Sequence, residues 1–571
     1  MIRQGYAWTA TLRTANGYNY ALTVTDGTIT LNEGAAPYVQ ASLTLAFPRT
    51  STLAAMDPTA KPRVTLTTQS NGVTRTFDLL LSARQPDFNS STVGVNLVSD
   101  EAFLLDYAPS ADDRTNWARQ ASVRSIVQAV LSKAAGTTVL SGAANSSYVT
   151  YSQITNLIQN TGGENGSDPW AGTNATVDAS SNWKHYGTYS IRVTASSTSS
   201  ASYAWAKVSA SAGSTYTISG FYRQVAVQTG TVNGDARKLQ IVAVVDGNTV
   251  IIGRSNQGSN AANTTTQLIA TFKVPDTASE VMVRLVNGSG SASNSPSYFD
   301  GLLMTEGDGN DTNGVPLVVF DGSNANNTAY TYTWDGTGDR SSSTRTPVVD
   351  RDPESLTWSL GQTAWDFLQP ILQAVGMRLF CDENRTWWLV ANDYAVDGVV
   401  RISAGDNAYS GSDLMSRTAT GPDGAPINTD AVFVHFTWRD KVTGLNREKW
   451  DIAAPAGYQR PYIVERPNKP YTGPGTAAYL LSRYKARRRT QNVTAAIDYS
   501  VTPGQEVAIT LPGMDLQSGY VDAVSWSLTA DEMTVYSKGL VTAYGTSYNQ
   551  QPDSMTYASL PDTTTYTSFP N

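Results

Sequence analysis

Over most of this chain apolar and polar residues alternate with a period of two along short runs. Trp8–Arg13, Tyr20–Val24, Gln40–Phe47, Arg63–Thr68, Arg75–Leu81 and Thr92–Val98 each put their apolar residues on one face, which predicts β-strands. Asn16-Gly17, Asp26-Gly27 and Asn71-Gly72 stand between them, and such dipeptides tolerate the positive φ of a tight hairpin. The period then changes. Val123, Ile126, Val127, Val130 and Leu131 recur at helical spacing, with Ser122 as cap and Gly136 as stop, which predicts a helix over 122–135. Thr363-Ala364-Trp365-Asp366 has the form of a capping box and opens a second helix through Phe367, Leu368, Ile371, Leu372 and Val375 to Gly376, followed by a strand Met377–Cys381. Pro370 lies inside it, and an interior proline costs about 3 kcal/mol, so a kink or a late start is expected. Nearer the C-terminus a basic helix, Thr476–Arg489, accompanies the strands Ala495–Tyr499, Glu506–Leu511, Tyr520–Leu528 and Met533–Ser537.

Between the two apolar helices the chain reads as a separate β-unit. Tyr189–Val193, Tyr216–Tyr222, Lys238–Val245, Thr249–Ile252, Gln267–Phe272 and Val281–Val286 are strand-like, turns such as Asp246-Gly247 connect them, and no amphipathic helix interrupts. An all-β sandwich is expected over 156–345, a span of 345 − 155 = 190 residues, long enough to bury its own core. The expected division is therefore an N-terminal segment 1–155, an insert 156–347, a C-terminal segment 348–545 and a polar, Thr- and Tyr-rich tail 546–571. Helix, glycine and strand recur on both sides of the insert, which suggests two halves of one host structure.

Length and composition bound the reading. Single cores stop growing at about 250–300 residues, so 571 residues predict several domains. The chain has 40 Lys+Arg against 48 Asp+Glu, a formal charge of −8, which argues against a nucleic-acid surface. One cysteine, Cys381, and two histidines exclude an intrachain disulfide and make a zinc site unfavourable. Met1–Tyr6 lacks the apolar core of a signal peptide and no run of 18 apolar residues occurs, so assembly in a cytoplasm without a membrane span is expected.

The ordered set Asn156-Leu157-Ile158-Gln159-Asn160 with Glu164, Gly187-Thr188-Tyr189-Ser190-Ile191, Ala212-Gly213-Ser214-Thr215-Tyr216-Thr217 and Ser297-Tyr298-Phe299-Asp300-Gly301 resembles a jelly-roll carbohydrate-binding module. Phe320-Asp321-Gly322, Tyr330–Thr337 and Ser341–Thr344 resemble the segment that follows such modules in minor tail proteins of siphophages infecting actinobacteria. Outside the insert, Asp100–Tyr107, Ser359–Asp366 and Asp498–Gly504 resemble the tail hub of long-tailed phages, related to the baseplate hub of contractile tails. These resemblances imply a mainly β protein of tail-tube-like β-barrel hub domains with a few short helices, interrupted by an inserted jelly-roll β-sandwich. They also imply a structural minor tail protein at the virion tail tip, a homotrimer that closes the distal end of the tube beside the distal tail protein, the tape measure protein and other minor tail proteins. Two alternatives stay open: a tail-tip glycan hydrolase and a hexameric distal tail ring protein.

Several side chains are candidates for binding. Trp170, Trp183, Tyr186, Trp205 and Tyr222 offer flat surfaces for sugar rings of a host cell-wall glycan, and Trp183 and Tyr186, in a polar loop segment, favour exposure of at least one. By the module resemblance, Glu164 and Asp300 match acidic positions near a structural calcium site. Arg483, Arg487 and Arg488 form a basic patch suited to an acidic neighbouring subunit, although a solvated or salt-bridged face is the blander reading. Catalysis is not expected. Asp382-Glu383 and Asp531-Glu532 are adjacent pairs at strand ends whose side chains point apart, and His185, His435 and Cys381 read as loop or packing residues.

Overall fold

A computed structural model describes residues 7–151, 153–196, 201–227, 235–287, 296–310, 317–415, 429–441 and 444–542. The tail expected over 546–571 lies outside the described residues.

The two ends of the chain build one sheet. Ala7–Arg13, Val24–Asn32, Val39–Ala46, Arg63–Ser70, Val73–Asp87 and Thr92–Val98 join with Arg489–Ala496, Gln505–Thr510, Gln517–Ser527 and Glu532–Thr542 in a 13-stranded sheet. The seam is the antiparallel pair Val24–Asn32 with Gln517–Ser527, registered from Thr28 opposite Ser527 to Asn32 opposite Ala523. Leu12, Ile29, Val64 and Phe77 from the N-terminal segment pack with Val507, Val524 and Trp526 from the C-terminal one in one core. Trp526 is fully buried, edge-on to Phe77 at 6.0 Å and 5.7 Å from Tyr499. The strand order is open, running from Asn19–Leu22 to Ala408–Met415 with a branch that ends at Val396–Ser403, so the expected barrels are not formed as closed barrels among the described residues. The protein is mainly β, in several sheets.

Asp26-Gly27 is not the hairpin expected of it. The strand runs on through both residues with a bulge after Val24, and Gly27 N–H donates to Asp26 Oδ1. Asn71 and Asp246, by contrast, do adopt the positive φ of tight turns, at 51° and 50°, followed by Gly72 and Gly247 at 81° and 78°.

A second core gathers the two helices. Val123–Ala134 is capped by Ser122, whose hydroxyl accepts from Ser125 N–H, and Gly136 takes φ 67° beyond its end. Thr363 caps Ala364–Ala374 by accepting from Asp366 N–H. This helix starts at its cap rather than late and continues through Pro370. The Asp366 carbonyl, deprived of a donor by Pro370, accepts instead from Gln362 Nε2 at 3.1 Å. Trp358 stacks on Phe367 at 5.5 Å between the helices, and Ile126, Val127, Leu368 and Leu389 close the core.

The insert consists of two five-stranded antiparallel sheets packed on a core that includes Ile191, Ile218, Tyr222, Ile241, Leu268, Val283 and Phe299. Its two ends meet. Ile154–Asn156 pairs with Ser343–Pro347, Thr155 opposite Thr344, and Tyr330–Trp334 completes a three-stranded base. Buried Asn156 fastens that base: its Nδ2 donates to the carbonyls of Leu302 and Phe320, and its Oδ1 accepts from Ile158 and Met304 N–H. A further sheet, Ala431–Arg439 between Asn446–Ala453 and Pro461–Pro467, lays Val432, Val434 and Phe436 on the helix Thr476–Ala486.

Candidate functional site

The insert presents its candidate residues in two places. On the outward face of the sheet containing Tyr203–Val208, Lys238–Val245, Asn248–Arg254 and Ala278–Val286, strand register sets Trp205 opposite Arg284, Arg284 opposite Gln240, and Gln240 opposite Arg254. Side chains alternate across a strand, so Ala204, Ala206, Leu239, Ile241, Val283 and Leu285 enter the core while this row faces outward. The Arg284 guanidinium lies 4.6 Å over the Tyr203 ring and donates to Gln240 Oε1 at 3.0 Å. Gln240 Nε2 in turn donates to Asp235 at 3.3 Å, and Arg254 pairs with Asp235 at 2.7 Å. Trp205, Tyr203 and Arg284 are half-buried, and Gln240 is buried.

The second place is a cavity of about 340 Å³ within the insert, between its sandwich and the 319–324 segment, lined by Glu164, Tyr186, Asp300, Phe320, Asp321 and Asn324 among others. Tyr186 is 39% exposed. His185 stacks on Phe221 at 3.7 Å, and Tyr186 meets both rings edge-on. Beneath them Asp300 accepts from Gly301 N–H at 2.7 Å on one oxygen and from His185 and Tyr186 N–H on the other. Burial pushes its carboxyl up to about 6, the amide donors opposing and the charge of Glu164 adding to the rise. Glu164 Oε1 accepts from Thr188 and Tyr189 N–H.

Calcium takes six to eight oxygen ligands, from carboxylates, carbonyls and water. Both oxygens of Asp300 and one of Glu164 are met by N–H donors. Among the described residues no group of three or more His, Cys, Asp or Glu is placed to hold a metal ion. The two carboxylates hold the 185–189 loop by its backbone.

Burial also corrects some of the aromatic set. Trp170 is 4% exposed in the insert's core, its Nε1 donating to the Asn160 carbonyl, and Tyr222 is fully buried with its hydroxyl on Gln224. Trp183, despite its loop position, is 9% exposed and edge-on to Tyr298 at 6.3 Å. These three rings are buried, whereas Trp205 is half-buried and Tyr186 exposed. The register row around Arg284 was missed from sequence, because Val281–Val286 was read only as an apolar strand.

The basic patch is not spread around a helix. The helix ends at Ala486 and a strand starts at Arg489. Arg483 is drawn inward to Glu33 at 3.3 Å, and Glu33 also meets Arg378 at 2.9 Å and Lys538. Burial opposes ionisation of Glu33, but these three cations outweigh it and hold the carboxyl below its ordinary range. Arg487 reaches Asp522 at 3.7 Å, and Arg488, exposed, contacts the Thr429 carbonyl at 3.5 Å. Arg483 and Arg487 thus pair within their own chain, the salt-bridged alternative weighed for this patch.

The groups weighed for catalysis have bland surroundings. Asp382 accepts from Asn384 and Thr386 N–H and from Trp388 Nε1, while Glu383 pairs with Arg75 at 2.7 Å. His435 stacks on Trp450 at 4.0 Å with Glu465 on its Nδ1. Cys381 is buried, which pushes its thiol upward and away from thiolate reactivity. Among the described residues no helix is long and apolar enough to cross a membrane.

No protein-family model and no curated protein matches the chain. Among solved structures, the chain is similar to the 43 kDa tail protein of prophage MuSo2 from Shewanella oneidensis, at 11% identity over 93% of this chain and 98% of that one, with a TM-score of 0.38. It is also similar to the tail protein from Neisseria meningitidis MC58, at 8% identity over 93% and 96%, with a TM-score of 0.39. A third likeness, to the xylan-binding CBM22-1 domain of Xyn10C from Paenibacillus barcinonensis, has 15% identity over 28% of this chain and 97% of that one, with a TM-score of 0.21.

Proposed function

We propose that this chain is a non-enzymatic structural protein of a phage tail tip, a hub whose host body, 1–155 with 348–545, carries an insert, 156–347, that binds host cell-wall glycan. The observation that carries the reading is the insert itself. It is a self-cored pair of sheets joined to the host at two adjacent strands, with half-buried Tyr203, Trp205 and Arg284 in a row turned away from its core and buried Gln240 beside them. Such a row suits a saccharide, whose C–H faces stack on aromatic rings while its hydroxyls need hydrogen-bonding partners. The hub assignment rests on the motif resemblances over 100–107, 359–366 and 498–504, which imply a homotrimer next to the distal tail protein and the tape measure protein. Arg488 is the member of the basic run left to meet a neighbouring subunit.

Light scattering with mass determination on the purified chain tests the assembly. A trimer is expected; a stable monomer at micromolar concentration, or a hexamer as in a distal tail ring, refutes the hub. Sedimentation with purified cell walls tests the insert, where Trp205→Ala should reduce binding at least several-fold and release no soluble sugar.

A further inference from the structure

We infer that the outward row of the insert takes an acidic polysaccharide, with Arg284 reading a carboxylate or phosphate and Trp205 stacking on the neighbouring ring. This rests on the glycan-binding reading above and adds the ligand class.

Arg284 is the basis. A half-buried guanidinium normally has a carboxylate beside it, because its charge is costly to remove from water without a counter-ion. Among the described residues, Arg284 has none. Its contacts are the face of Tyr203 and the neutral amide of Gln240. The nearby cations differ: Arg254 is paired with Asp235, and Lys207 with Glu280 at 2.5 Å. The segments 197–200, 228–234 and 288–295, which adjoin these strands in sequence, contain no Asp or Glu.

The two contacts also orient the group. Tyr203 fixes the guanidinium plane from one side and Gln240 takes one of its five N–H donors, which leaves donors for a bidentate hydrogen bond to a planar or tetrahedral anion. Trp205 lies directly opposite Arg284 in register, and directly opposed residues on a sheet are about 5 Å apart. One sugar residue stacked on Trp205 therefore carries its acidic substituent to Arg284. Attraction of a polyanion is not a property of the whole molecule, whose formal charge is −8, so the preference has to come from a local site.

Affinity electrophoresis of the full chain through gels containing polygalacturonate, its methyl ester or a phosphomannan tests this. The methyl ester keeps the sugar backbone and removes the charge, and the third polymer separates phosphate from carboxylate recognition. Retardation by one of the two acidic polymers at least tenfold stronger than by the methyl ester is expected. Arg284→Gln should abolish that difference, and Arg284→Lys, which keeps charge but not the fork, should restore only some of it. Equal retardation of the wild-type chain by the methyl ester and the acid overturns the acidic preference while leaving glycan binding standing. Unchanged binding of the acidic polymer by Arg284→Gln overturns the role of Arg284. No retardation in any gel, together with no cell-wall binding, overturns the underlying reading itself.

Discussion

Glu101 ought to make the host body less stable as pH rises, and Glu101→Gln isolates the effect. Its side chain is wholly buried just beyond the N-terminal strands of the large sheet, where Oε1 accepts from Tyr38 N–H at 3.2 Å and Cys381 N–H at 2.8 Å while Oε2 has no partner. Burial pushes the carboxyl from 4.5 up to about 7, the hydrogen bonds opposing. Because the folded value is the higher one, folded chains hold a proton across this window that unfolded chains have lost, so stability is greatest below pH 4.5 and falls until about pH 7. The difference, 7 − 4.5 = 2.5 pH units at 1.36 kcal/mol each, amounts to about 3 kcal/mol. Glutamine keeps the acceptor and cannot ionise. It places an amide where Oε2 has no partner, a pH-independent cost of about 1–3 kcal/mol. Urea unfolding followed by tryptophan fluorescence, which reports on buried Trp526 and Trp358, should show wild type ahead at low pH and the variant gaining on it by about 3 kcal/mol as pH passes neutrality. Other titrating groups cancel in the comparison. A wild-type-minus-variant difference that is the same at every pH would refute the assignment of a buried, proton-retaining carboxyl.

Two further outcomes are expected. Glu33→Gln removes the anion shared by Arg378, Arg483 and Lys538 and leaves Asp522, 3.8 Å from Lys538, as the remaining nearby carboxylate, so it should cost about 3–5 kcal/mol and lower the melting temperature, whereas a loss below 1 kcal/mol in calorimetry would mean that Asp522 and water compensate the cations. Replacing 156–346 with a short Gly-Ser linker should leave the host body soluble with its assembly state unchanged, because the insert's first and last strands are hydrogen-bonded neighbours; an aggregated product would show that the insert completes the host core.

Local rules recovered those features of this fold that local physics decides. The Ser122 and Thr363 caps, the stop at Gly136 and the turns at Asn71 and Asp246 each depend on a few neighbouring residues, and each is where the pattern put it. Long-range pairing was not legible. Asp26-Gly27 reads as a turn by itself, but Gln517–Ser527, nearly five hundred residues later, pairs with the strand that contains it. Pro370 should disturb a helix, and nothing local says that the Gln362 side chain will serve the freed carbonyl. The candidate site divides in the same way. The loop position of Trp183 and Tyr186 pointed to exposure of at least one, and Tyr186 is exposed; that Trp183 is the one folded against Tyr298 was not legible locally, and Tyr222 sits in an alternating strand and is simply core. Arg284 could not be singled out before strand order placed Trp205 beside it.

The seam between Val24–Asn32 and Gln517–Ser527 also sets a clock on synthesis. Asn32 lies opposite Ala523, and 523 − 32 = 491 residues separate them. At about 5–20 residues per second a ribosome needs roughly 25–100 s to supply the partner strand. For that time an early strand whose Ile29 and Leu31 belong to the core has an unpaired edge, the kind of edge that recruits other nascent chains. The insert, whose strands pair only among themselves and their base, can finish folding within that interval. Production of the intact chain should therefore depend on slow growth or on holding chaperones far more than production of the insert alone.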